Sequence, residues 1–155
     1  MRSVSARLFI GVAITAIAMF GADSSEGTWK RNAAKSKSTS TNPTKSQTDV
    51  REAPPEGGFK LTRTTQLKDG TSVNYSVTCK YDGKECPVTG APYDVVSGKR
   101  IDANTTTFET KKTGGKLHNN GKNVISKDGK TLTQTITGTD AEGKPVKITN
   151  VFDKQ

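Results

Sequence analysis

The stretch Thr71-Ser72-Val73-Asn74-Tyr75-Ser76-Val77-Thr78-Cys79-Lys80-Tyr81 decides the fold. Its odd positions from 73 to 81 carry Val, Tyr, Val, Cys and Tyr, while its even positions from 72 to 80 carry Ser, Asn, Ser, Thr and Lys. A period of two puts successive side chains on opposite faces of a strand, so one face is dry and the other wet. Phe59, Leu61 and Leu67 alternate in the same way upstream, as do Leu132 and Ile136, and then Val146, Ile148 and Phe152, downstream. The segments between them carry turn chemistry: Lys68-Asp69-Gly70, Asp82-Gly83, Thr113-Gly114-Gly115, Asn120-Gly121, Asp128-Gly129 and Asp140-Ala141-Glu142-Gly143. Asp-Gly and Asn-Gly accept positive φ at low cost, as tight hairpins require. With 23 threonines and no sustained 3.6-residue periodicity after the first twenty residues, helix is a minor component. The reading is an all-β antiparallel meander of about eight to nine strands over residues 58–155. Closure removes exposed edges, so a small barrel is expected over an open sheet.

Outside that body lie two segments of different texture. Residues 8–20 are an apolar run preceded by Arg2 and Arg7 and containing Ala16-Ile17-Ala18. This is the pattern of a secretory signal peptide, residues 1–18, on a chain exported to the periplasm or the exterior. The run is shorter than the ~20 apolar residues of a spanning helix, although an uncleaved anchor is the alternative. Removing residues 1–18 takes away two arginines and no acid, leaving +7 of the formal +9. After residues 19–30, which hold the first strand, residues 31–57 are rich in Lys, Ser, Thr, Asn and Pro and read as a basic low-complexity loop or linker. Over residues 30–51, Lys30, Arg31, Lys35, Lys37, Lys45 and Arg51 stand against Asp49 alone. Such a balance attracts anionic surfaces without specifying one, and equally describes a solvated lysine-rich exterior. It designates no specific nucleic acid.

The two cysteines, Cys79 and Cys86, flank Tyr81-Asp82-Gly83-Lys84. A two-residue turn at Asp82-Gly83 would set them opposite each other across a hairpin, and in an exported protein an isolated pair is most often a disulfide. A zinc site needs three or four ligands, and His118 is the only histidine, so no metal and no cofactor is expected. Asp69, Asp82, Asp128, Asp140 and Glu142 sit in or beside turns, which explains them without catalysis, and His118 reads as a turn residue. The chain is therefore read as a non-enzymatic protein.

Gly27-Thr28-Trp29-Lys30 resembles the Gly-x-Trp opening of lipocalins and other calycin barrels, and Val151-Phe152-Asp153-Lys154 resembles the closing strand of the fatty-acid-binding proteins. The resemblance implies a lipocalin-like barrel with Trp29 at its closed end. The chain is also similar to a group of small exported bacterial proteins of uncharacterised activity, through residues 27–37, Tyr81-Asp82-Gly83-Lys84, Pro87-Val88-Thr89-Gly90, Lys99-Arg100-Ile101-Asp102, residues 126–133 and Thr137-Gly138-Thr139-Asp140. The cysteines lie outside that pattern. Where fatty-acid binders carry an Arg-x-Tyr carboxylate clamp, Asn150 and Phe152 stand, leaving Arg63 or Arg100 as substitutes if either points inward.

Two functional readings follow. In the first, Trp29, Tyr75, Val77, Phe108, Leu132, Ile136, Ile148 and Phe152 line an interior that takes a small apolar ligand. An eight-stranded barrel holds one ligand or fills itself with side chains, and both outcomes fit this composition. In the second, the protein is an envelope-associated structural or interaction protein, with the basic segment contacting an anionic surface.

Overall fold

The computed structural model describes residues 24–155, so the signal-peptide reading of residues 1–18 lies outside the described residues. One antiparallel sheet holds eleven strands: β1 (Gly27–Arg31), β2 (Lys37–Ser38), β3 (Thr44–Glu52), β4 (Phe59–Leu67), β5 (Ser72–Cys79), β6 (Cys86–Pro87), β7 (Val95–Arg100), β8 (Thr105–Lys111), β9 (His118–Ile125), β10 (Thr131–Thr139) and β11 (Pro145–Lys154). Nine of these are five residues or longer, and among the described residues there is no helix. The all-β meander is the fold. Its hydrogen-bonded order is β5-β4-β3-β1-β11-β10-β9-β8-β7-β6, with β2 on β11. The first strand of the described residues thus sits mid-sheet, where β1 takes β3 on one side and β11 on the other. The two ends of that order, β5 and β6, come back together with β5 also touching β7, so the sheet curls into a nearly closed barrel.

Alternation fixes which residues face inward. On β5 these are Val73, Tyr75, Val77 and Cys79, as the sequence pattern requires. Two apolar clusters form. Trp29, Ile125, Leu132 and Phe152 are almost wholly enclosed and make a solid plug at one end, under β1, β9, β10 and β11. Leu61, Tyr75, Val77, Cys79, Val88 and Val96 form the other, inside the β5–β7 junction. Cys79 and Cys86 are bonded, with Cα atoms 5.7 Å apart.

Three expectations are corrected. Residues 31–57 are not a loop: β3 occupies the middle of this segment and pairs with both β1 and β4. It escaped the hydrophobic pattern because its inward side chains, Gln47, Asp49 and Arg51, are polar. Asn120-Gly121 is not a turn but the middle of β9, paired on both sides. Here glycine serves a close approach, since a Cβ on Gly121 would lie 2.0 Å from the Phe108 ring. The cysteines do not face each other across a hairpin. After β5 the chain instead lays Asp82 and Gly83 against β7, through the Asp82–Lys99 bridge and the Gly83 amide donating to the Gly98 carbonyl at 3.0 Å. Cys86 then joins β7, and the disulfide spans the seam between the two ends of the sheet.

Candidate functional site

The barrel interior is crossed at mid-height by a belt of polar side chains that the strand register sets level with one another. Asp49 on β3 faces Arg63 on β4, and Arg63 faces Tyr75 on β5. On the opposite wall Thr106 of β8, Asn123 of β9, Gln134 of β10 and Asn150 of β11 follow in register. Hydrogen bonds run along this second arc: the Asn123 amide donates to Thr106 Oγ1 at 3.2 Å, Gln134 to Asn123 at 3.0 Å, and Asn150 to Gln134 at 3.4 Å. Arg31 Nε donates to Asn150 Oδ1 at 2.9 Å. On the first arc the Tyr75 hydroxyl meets that of Tyr93, their rings packed edge-on at 5.7 Å. Buried amides and hydroxyls that share one network satisfy each other, which is the condition for keeping polar groups inside at all.

Asp49 is fully buried and accepts from Arg63 Nε and Nη2 at 2.7 and 2.6 Å and from Gln47 at 2.9 Å. Burial pushes its carboxyl up, but the charge and hydrogen bonds of Arg63, then Arg51 and Gln47, outweigh that and hold it below its ordinary value. The same pairing lifts Arg63 well above the usual guanidinium range despite burial. Arg51 is different. Desolvation exceeds the pull of Asp49 and lowers its pKa. Burial beside Tyr75 raises the Tyr93 phenol well above its ordinary value.

Two cavities flank the belt. The larger, about 460 Å³, lies toward the end opposite the Trp29 plug. Leu67, Val73, Leu117, Ile136, Val146 and Ile148 give it apolar walls, and Arg31, Arg63, Tyr75, Gln134 and Asn150 bring the belt to it. Its rim includes residues 40–43 and 140–142 from loops at that end. The smaller, about 50 Å³, lies under Phe59, Leu61, Val77, Val96 and Phe108, with Arg51 and Arg63 on its wall. Arg63, Tyr93 and Gln134 line both, so the cavities adjoin.

The sequence-derived lining set divides accordingly. Tyr75, Ile136 and Ile148 line the larger cavity, and Val77 and Phe108 the smaller. Trp29, Leu132 and Phe152 are together in the plug. Arg31 and Arg51, placed by sequence on a basic arm, turn inward to Asn150 and toward Asp49, while Lys30, Lys37 and Lys45 stay exposed and Lys35 lies 3.8 Å from Asp153. The six cations therefore share no single surface. His118 Nε2 meets Glu109 at 2.6 Å with both side chains about half exposed. Of the belt, sequence named Tyr75 as lining and Arg63 as a residue that would matter if it pointed inward, as it does; the rest was not singled out, yet a signal was present. Gln134 stands in phase between Leu132 and Ile136, Asn150 between Ile148 and Phe152, and Arg63 two places after Leu61.

No family model and no curated protein matches the sequence. Among solved structures the chain is similar to one described as EF1p2_mFAP2b bound to DFHBI, at 10% sequence identity and a TM-score of 0.47, covering 84% of this chain and 93% of that one.

Proposed function

We propose that this protein is an exported, lipocalin-like binding protein that carries one small amphipathic molecule in its larger cavity. The observation that carries the reading is that cavity itself: about 460 Å³ inside the barrel, apolar on its walls and polar at its floor. Ligand sites of drug-sized molecules commonly run from ~300 to ~1,000 Å³, mostly apolar with a few convergent polar groups. A purely apolar ligand would leave Arg63, Gln134 and Asn150 facing hydrocarbon, so the ligand has a polar end directed to the belt. Export is supported by the leader pattern and by the disulfide, which persists in oxidising compartments.

Native mass spectrometry of protein purified from its own host tests the reading. The expected spectrum carries one adduct of a few hundred daltons, absent from an Ile136→Trp variant that fills the cavity and keeps its β-sheet circular dichroism. A barrel that is consistently empty under gentle ionisation sinks the proposal.

A further inference from the structure

The belt holds two guanidinium groups and serves them unequally. Arg63 takes both oxygens of Asp49, whereas Arg51 approaches that carboxylate only to 3.7 Å through Nη2, beyond hydrogen-bonding reach. The Arg51 side chain is about a tenth exposed, and its Nε is buried with no acceptor. A buried donor left unmet and a buried cation that must share one carboxylate with a second guanidinium both cost stability. Arg63 adds repulsion from close by.

The space beside Arg51 is of the right kind to relieve this. The smaller cavity, about 50 Å³, exceeds the ~10–15 Å³ that a single water needs. Its polar lining is the guanidinium groups of Arg51 and Arg63 with hydroxyls and amides, among them Tyr93, Thr106, Asn123 and Gln134, and no carboxylate lines it. Hydroxyl, amide and guanidinium groups around a net positive charge describe an anion site. We infer that this cavity holds a monovalent anionic group no larger than a carboxylate, accepting from the Arg51 guanidinium and completing the charge balance of Arg51, Asp49 and Arg63. Because the two cavities adjoin, the group is either a free ion or the acid end of a molecule in the larger cavity. The free-ion form stands without the proposed ligand, and the acid-end form rests on it.

Three probes decide: bromide, formate and octanoate, each titrated against the bulky gluconate at constant ionic strength. The melting temperature of the full chain rises and saturates with a fitting anion, as binding to the folded state requires, and this dependence is lost in Arg51→Gln. Crystals grown with each probe supply a readout that needs no variant. Anomalous density from bromide in contact with Arg51 assigns a free ion. An octanoate carboxylate at Arg51, with no bromide in the bromide crystal, assigns the acid end of a ligand. Water alone at Arg51 with all three probes, or an unchanged anion dependence in Arg51→Gln, overturns the inference.

Discussion

From β1 through β11 and β10 to β9 the barrel wall is an unbroken backbone ladder; β10 alone matches nine residues of β11 and eight of β9 in continuous register. Where β5 meets β6 and β7 no ladder joins the strands. That seam is held by the Cys79–Cys86 bond, by the Leu61–Val77–Val96 cluster, and by Tyr93 set against Tyr75. The difference teaches that the two sides hold by different forces. The ladder side depends on backbone hydrogen bonds capped by the Trp29 plug, and the seam depends on side chains and one covalent crosslink. The ladder side should therefore govern global stability, and the seam should govern local opening.

The largest effect is expected on the ladder side. Trp29→Ala removes the centre of the plug and should cost about 3–5 kcal/mol in urea unfolding, with its transition still cooperative. A loss below about 1 kcal/mol would mean that the plug does not anchor this side. At the seam, the double change Cys79→Ala and Cys86→Ala should cost about 2–3 kcal/mol on the chain-entropy account of a short loop. An equal or larger loss than that of Trp29→Ala would reverse the comparison.

Acid should act through the belt that joins the two sides. Asp49 has a folded-state pKa below its ordinary 3.8, so its contribution is fully present above about pH 4 and disappears as pH falls through the lower, folded value. Stability measured from pH 6 to pH 2 should fall at the acid end, and Asp49→Asn should flatten that fall. The smallest effect belongs to neither side. Glu52 and Lys60 pair at 2.9 Å on the outer surface with both side chains about half exposed, and Glu52→Gln should change stability by no more than about 1 kcal/mol.

What the sequence made legible follows the same division. The alternation of Val73, Tyr75, Val77 and Cys79 placed β5, and the Gly-x-Trp motif put Trp29 at the closed end, whereas Phe152, read as lining the interior, lies in the plug beside it. Apolar period-two patterns reveal strands whose inner face is greasy. They are silent on β3, where Gln47, Asp49 and Arg51 occupy that face, and such a strand reads as linker. They also cannot tell a hairpin Asn-Gly from one inside β9, where the reason for Gly121 is a ring from the neighbouring strand. The cysteine pairing was readable and its place was not, because the bond spans strands whose adjacency arises only on closure. Apolar character alone does not mark the residues facing the lumen, because Arg31, Arg63, Gln134 and Asn150 line it as well.

Hydrogen exchange read by mass spectrometry on the oxidised and the reduced protein tests barrel closure most directly. Reduction should deprotect amides of β5, β6 and β7 while those of β1, β9, β10 and β11 keep their slow exchange. Loss of protection spread evenly over every strand, or none anywhere, would contradict a sheet whose two ends are held together at that bond.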